Sequence, residues 1–296
     1  MLRSLPAPLR AGVAFLFVGT STALHAAPLL ALALLKAALP FASWRRRIGI
    51  WLVAIAQQWV GFNSRLIRLA GTQVHVHGDV ADLQRVGWYL VVCNHQSWVD
   101  IPLLQLVFAE RIPMLKFFLK RELIFVPVLG LAWWALDFPF MRRYSRAELE
   151  RRPELRGKDL EATQRACAKF RELPVSVMNF VEGTRFTPAK HAQQKSPYAN
   201  LLLPRAGGVA FVIQAMRPLL RTLVDVTLVY PQGRPTLYDF LAGRVRDVRV
   251  HVRRLDIPEE FGLGDYENDA AFRARVQEWM NALWRDKDAR IAALMS

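Results

Sequence analysis

From Met1 to Gly78 the chain contains no aspartate or glutamate, and Asp79 is its first acid. The same stretch carries Arg3, Arg10, Lys36, Arg45, Arg46, Arg47, Arg65 and Arg68. Between Gly12 and Leu35 there is no formal charge at all. A helix over those residues would be about 36 Å long, enough to cross a bilayer core of roughly 30 Å. His25 and Pro28 interrupt the run, so a kinked, tilted or re-entrant helix stays open beside a straight span. A cleaved signal peptide is the competing reading. Against it, Leu24 or His25 falls where a cleavage site wants a small residue, and the apolar run continues past Ala27. The arginines at 45–47 then belong on the cytoplasmic side of a membrane.

Ile48, Trp51, Leu52, Ile55, Trp59, Phe62, Leu66 and Leu69 recur at helical steps, with Arg47, Gln58, Arg65 and Arg68 off the stripe. A basic helix with aromatics on its apolar face suits a membrane interface. The alternative is a helix packed on the soluble domain. The whole chain has a formal charge of +15, so an anionic partner is expected: nucleic acid, an anionic bilayer or a phosphorylated substrate. With 53% hydrophobic and 22% charged residues it is neither disordered nor a coiled coil. Cys93 and Cys167 have no CxxC or Cys/His zinc spacing around them, and His75 and His77 lack a third ligand nearby, so no metal site is expected.

From Gly71 onward the pattern is α/β. Trp88–Cys93 is a continuous apolar run, as a buried strand should be. A helix is predicted from Ile101, with Pro102 near its start. Further helices are predicted over 157–173 and 207–216, and strands over 175–181 and 222–230. Val248, Val250 and Val252 alternate with Arg249, His251 and Arg253, which predicts a half-exposed edge strand. An amphipathic helix closes the chain. The expected organisation is membrane-anchoring helices over 1–70, one α/β domain over 71–260 and a C-terminal helix packed on it over 261–296.

Two clusters carry chemistry. In Asn94-His95-Gln96-Ser97-Trp98-Val99-Asp100 the histidine follows a buried strand and the aspartate opens a helix. On one continuous helix the two side chains would point about 140° apart. Across a strand–loop–helix corner they can pair, the carboxylate fixing the imidazole tautomer and leaving one nitrogen free as a base. That is a catalytic triad without its nucleophile, so the substrate's own hydroxyl would attack. The bland alternative is an Asp100 that only caps the helix. The second cluster is Phe180-Val181-Glu182-Gly183-Thr184-Arg185. Gly183 permits close backbone approach, Thr184 offers a hydroxyl, and Arg185 offers a fork matched to phosphate. Glu182 would hold Arg185 or accept from a substrate hydroxyl. A turn with an exposed Glu–Arg pair is the alternative.

NHxxxxD at 94–100 followed by FVEGTR at 180–185 resembles the glycerolipid acyltransferase family, the 1-acylglycerol-3-phosphate acyltransferases and their relatives. Lys120-Arg121-Glu122-Leu123 is similar to the family's KxEL element. Asp137–Arg143 corresponds to GxIFIxR with Asp137 in the glycine position, and Val181 stands where proline is commoner. Leu203–Gly208 resembles its KPGA-type turn. The wording looks closest to the branch of bacterial inner-membrane acyltransferases and lysocardiolipin acyltransferase-like enzymes. The resemblance implies a single α/β domain with a mixed central sheet flanked by helices, preceded by a hydrophobic membrane helix and an amphipathic one. It implies transfer of an acyl group from acyl-CoA or acyl carrier protein to a lysophospholipid hydroxyl, with 1-acyl-sn-glycerol-3-phosphate as acceptor and phosphatidic acid as product. His95 and Asp100 would be catalytic. Lys120, Arg143 and Arg185 would hold the acceptor phosphate, with Glu182, Gly183 and Thr184 completing the pocket. No metal or organic cofactor is implied, and the catalytic domain would face the cytoplasm on an inner membrane. Another lysolipid acceptor, or a non-catalytic lipid-binding protein on the same fold, are the alternatives. A membrane-tethered nucleic-acid binder fits less well, because no nucleic-acid module is recognisable.

Overall fold

The computed structural model describes residues 5–141, 151–152, 158–171 and 173–296. Two long helices, α1 (Ala7–Ala38) and α2 (Ala42–Ala70), form the N-terminal part and pack on each other. α1 is long and apolar enough to cross a membrane, and only 17% of its most apolar window is buried within the protein. Gly71, at φ 91°, ends α2 in the left-handed conformation that glycine adopts without a Cβ clash.

The predicted apolar stripe of α2 is divided. Ile48 and Leu52 are buried, whereas Trp51, Phe62 and Leu69 are exposed. The buried face runs through Ile48, Leu52, Ala56, Val60, Ser64 and Ile67, a four-residue step with small residues that admit close approach. This face packs towards α3 (Asp100–Phe108), while Phe62 stacks on Phe17 of α1, Trp59 donates to Thr22 of α1, and Trp51 is left exposed.

A six-stranded mixed sheet follows, in the order β1 (Gln73–Gly78), β8 (Asp247–Asp256), β7 (Thr222–Val229), β2 (Trp88–Cys93), β6 (Val175–Phe180), β3 (Leu115–Phe117). β7, β2, β6 and β3 run parallel; β8 is antiparallel to β7, and β1 is parallel to β8. β8 is therefore an inner strand, not the edge strand expected. Its alternation reflects its two covers. Val248, Val250 and Val252 enter the apolar layer below α2 and α3. Arg249 and Arg253 turn to the C-terminal helix α9 (Ala270–Met295), where Arg249 donates to the Leu294 carbonyl and Arg253 pairs with Asp225 and Asp286. Lys287 of α9 is fully buried against Asp225 of β7. Such a pair fixes the helix on the sheet, since removing one partner would strand a buried charge.

The second layer joins α5 (Lys158–Lys169), α7 (Gly207–Met216) and α9 to the other sheet face, around Leu90, Val92, Val177 and Leu223. Both faces are covered, so β2 is apolar throughout. Short elements complete the chain: β4 (Leu119–Lys120) paired with β5 (Phe140–Met141), α4 (Leu129–Ala135), α6 (Pro188–Gln194) and α8 (Leu237–Leu241). The loops after β2 and β6 emerge together at the carboxyl ends of parallel strands, where open α/β sheets bind ligands.

Candidate active site

β2 and β7 are pinned together just past the last residue of β2. The buried Asn94 side chain donates to the Leu228 carbonyl at 2.8 Å and accepts from the Leu228 amide at 2.9 Å. His95 follows, with its ring stacked on Phe180 at a centroid separation of 3.9 Å. Its Nδ1 lies 2.8 Å from Asp100 Oδ2. Asp100 is fully buried, and the same oxygen accepts from the amides of Gln96 and Ser97 at 2.6 and 2.9 Å. Its other oxygen accepts from the Tyr230 hydroxyl at 2.7 Å. Asp100 does not cap α3; it closes the loop in front of that helix. A carboxylate accepts only, so Nδ1 carries the proton and Nε2 is left with a free lone pair. Burial, and then the Asp100 charge, push the Tyr230 phenol well above its ordinary value, which keeps it a donor.

Among the described residues no side-chain nucleophile joins this pair. The Ser97 hydroxyl donates to the Pro235 carbonyl at 2.6 Å. Cys93 is buried beneath Asn94, and burial raises its thiol well above the usual value. Among the described residues, no group of three or more His, Cys, Asp and Glu stands close enough to hold a metal ion.

Glu182 departs from both expected roles. It is fully buried and pairs neither with Arg185 nor with a position open to substrate. One oxygen accepts from the His95 amide and the other from the Leu202 amide, each at 3.2 Å. It is a post joining the histidine loop to the loop before α7. Burial pushes its pKa up to about 8, against the two amides that favour its charged form. The native state therefore holds a proton that the unfolded chain releases, between the ordinary value of 4.5 and about 8. Its contribution to stability is complete below that window and is lost as pH rises through it. Glu182→Gln should flatten that slope, because glutamine does not titrate. It should also lower stability at acid pH by about 1–3 kcal/mol, because the amide NH₂ cannot accept from one of the two backbone donors. Chemical denaturation of both proteins from acid to mildly alkaline pH checks this, and parallel curves would contradict it.

Gly183, at φ 70°, makes the turn after β6 possible. Thr184 accepts from Lys190 Nζ at 2.7 Å, and the same ammonium donates to the Arg185 carbonyl. The Arg185 guanidinium lies over the Trp98 ring at 4.4 Å, which holds it beside the His95 loop. Arg234 adds a third cation, donating to Gln96 Oε1 at 2.8 Å and stacking over Phe186. Lys190, Arg234, Trp98 and Tyr230 were not expected from the motifs. Lys120 is exposed on β4 and makes no ion pair with the described residues, so the structure does not join it to Arg185. Arg143 lies outside the described residues.

The fold and the pair together define a class: an α/β domain that carries a histidine–carboxylate dyad at the carboxyl edge of its sheet, with no side-chain nucleophile beside it among the described residues. A family model described as Acyltransferase matches residues 73–231, more than half of the chain, and the chain belongs to that family. Mus musculus 1-acyl-sn-glycerol-3-phosphate acyltransferase delta is 27% identical over 250 residues, 77% of this chain and 60% of that protein. The gamma protein of the same organism is 31% identical over 212 residues, covering 68% of this chain and 51% of its own length. The crystal structure of the 1-acyl-sn-glycerophosphate (LPA) acyltransferase PlsC from Thermotoga maritima shares the fold. Its TM-score is 0.53 at 14% identity, over 94% of this chain and 98% of that one. The chain thus spans between about half and 60% of the length of these curated relatives.

Proposed function

We propose that this chain transfers a fatty acyl group from a thioester donor, acyl-CoA or acyl carrier protein, to the free hydroxyl of a lysophospholipid. The acceptor is 1-acyl-sn-glycerol-3-phosphate and the product phosphatidic acid. The observation that carries this reading is the 2.8 Å contact between His95 and the buried Asp100, with no serine or cysteine placed to attack among the described residues. His95 Nε2 takes the proton of the acceptor hydroxyl as that oxygen attacks the thioester carbonyl, and Asp100 stabilises the imidazolium that forms. When the tetrahedral intermediate collapses, the carbon–sulfur bond breaks and the imidazolium returns its proton to the leaving thiolate. Arg185, with Lys190 and Arg234 beside it, binds the acceptor phosphate; Lys120 and Arg143 extend this set by family resemblance. The named activities of the relatives agree with this acceptor. No metal or organic cofactor enters this scheme.

The test is purified protein in detergent, given acyl-CoA or acyl carrier protein and a panel of lysolipids. Release of free thiol should depend on the acceptor and be largest with 1-acylglycerol phosphate. Thiol release that ignores the acceptor, or equal use of an uncharged lysolipid, would contradict the reading.

The same reading sets the domain on the cytoplasmic side of an inner membrane, because thioester donors are cytosolic and the arginines at 45–47 flank α1. A fluorescent protein fused after Ser296 should therefore fold and fluoresce in the cytoplasm, and alkaline carbonate should leave the full chain with the membranes. An alkaline phosphatase fusion at the same position should be inactive. The opposite pair of results would reverse the orientation.

A further inference from the structure

At the far end of the sheet from His95, a cavity of about 540 Å³ lies between the α1–α2 connection and the β3 edge. Among the described residues it is lined by Lys36, Arg45, Arg46, Lys116 and Lys169, with Asp137 as its one acid. Asp137 adopts φ 58°, a left-handed conformation that aspartate tolerates better than most residues. Both of its oxygens are already occupied, one by Lys36 Nζ at 3.0 Å and the other by Lys169 Nζ at 2.9 Å. Among the described residues no further acid lines the cavity to neutralise Arg45, Arg46 and Lys116. Lys116 lies with its ammonium 4.9 Å from the Phe170 ring centroid and forms neither a hydrogen bond nor an ion pair among the described residues. Burial pulls its pKa down to about 8, with Asp137 opposing and Lys36 and Lys169 adding to the fall. Cations gathered at one cavity repel each other unless an anion joins them.

We propose that this cavity is a phosphate site separate from the catalytic pocket, and that it takes the headgroup of an anionic phospholipid. The separation follows from the strands. Met114 and Pro174 stand just before β3 and β6, with Lys116 inside β3, whereas Glu182 follows the end of β6 and the histidine loop the end of the parallel β2. Lys116 pairs with Val177, three residues or about 10 Å along β6 before Phe180, and Val177 belongs to the opposite sheet face from the Phe180–His95 stack. A lipid fits better than a soluble phosphate because the other walls are apolar, formed by Leu52, Val53, Met114 and Trp134. Leu34, Leu35, Phe41 and Trp44, neighbours in sequence of the lining residues, are exposed, as is Trp134 itself. The cavity thus adjoins the apolar surface of α1, the helix able to enter a membrane. Cations beside an aromatic and aliphatic rim match a phosphate at the bilayer interface.

The test uses the reactivity of the lining amines in the full chain, held in nanodiscs of phosphatidylcholine with or without phosphatidylglycerol. Acetic anhydride modification is followed at each lysine by mass spectrometry. Phosphatidylglycerol should slow modification of Lys116 and Lys169 severalfold and leave the exposed Lys195 unchanged. Coenzyme A and inorganic phosphate are added separately to the phosphatidylcholine discs. Protection by either of them overturns the lipid assignment. No protection by any of the three, or equal slowing at Lys195, overturns the site itself. Native mass spectrometry gives a second reading: Lys116→Met and Lys169→Gln should each retain one phosphatidylglycerol fewer than the parent, and Arg185→Lys should retain the same number. Equal retention in the two lysine variants overturns the proposal, and a loss confined to Arg185→Lys would place the lipid in the catalytic pocket instead.

Discussion

His95→Ala should lower kcat for acyl transfer by about 10²–10⁴-fold, the range expected when a positioned general base is removed. The protein should stay folded, because the contacts that shape the loop are made by the His95 backbone. Its amide donates to Glu182 and its carbonyl accepts from the Phe186 amide at 2.8 Å. The ring contributes its stacking on Phe180 and the bond to Asp100, both at the mouth of the site. Asp100→Asn separates charge from geometry. An asparagine can keep one oxygen for the Gln96 and Ser97 amides and turn its NH₂ to the Tyr230 hydroxyl, which then accepts. What it loses is the negative charge opposite the imidazolium, so kcat should fall much further than stability. The measurements are kcat with both substrates saturating and thermal unfolding of each variant. An active His95→Ala protein would remove the base from the mechanism. An Asp100→Asn protein that unfolds as readily as it loses activity would reduce the aspartate to loop closure.

The dyad is legible in the sequence because each partner sits at an element boundary with its own signal. The apolar run Trp88–Cys93 ends one residue before Asn94, and Pro102 marks the start of a helix just after Asp100. The corner between a buried strand and a helix is then the one geometry that lets the two side chains meet. Glu182 is misread for a related reason. A charged residue beside a glycine and an arginine suggests a solvated turn, and no local pattern reveals that the Leu202 amide arrives to bury it. Tyr230, Lys190 and Arg234 reach the site through tertiary packing, each from a segment whose own pattern describes only a strand end, a short helix or a turn. The sheet order is hidden in the same way. An alternation of valine with arginine fits an exposed edge, but it fits equally an inner strand whose polar face is neutralised by a helix. That helix brings Lys287, Asp286 and Arg290 to Asp225 and Arg253, and the charges on it and on β7 only make sense together. On α2 the periodicity is correct, and the stripe is divided between the domain and the exposed side. Gly49, Ala56 and Ser64 count as neutral in a hydrophobic pattern, yet their small size draws the helix onto the domain, leaving Trp51 exposed and Phe62 stacked on Phe17 of α1.

Arg185→Lys should be a severe change although it keeps the charge. The guanidinium lies 4.4 Å over the Trp98 ring, a cation–π contact that holds it beside the His95 loop before any ligand arrives. A phosphate then meets two parallel N–H donors in a fixed orientation. Lysine offers a mobile point charge that neither stacks in the same way nor forks. Loss of one charge-assisted hydrogen bond, at about 1.5–3 kcal/mol, corresponds to roughly a 10- to 150-fold fall in acceptor kcat/KM. Part of that fall should appear in kcat, because the grip on the phosphate sets the distance between the acceptor hydroxyl and His95 Nε2. Lys120→Ala should behave differently. That lysine is exposed on β4 and holds no partner among the described residues, so its removal should raise the acceptor KM and leave kcat near its parent value. The donor KM should move little in either variant. Steady-state kinetics with each substrate varied separately decide the matter. If Arg185→Lys raised only the donor KM, Arg185 would belong to the phosphates of the thioester carrier, and the acceptor would have to approach His95 from another side.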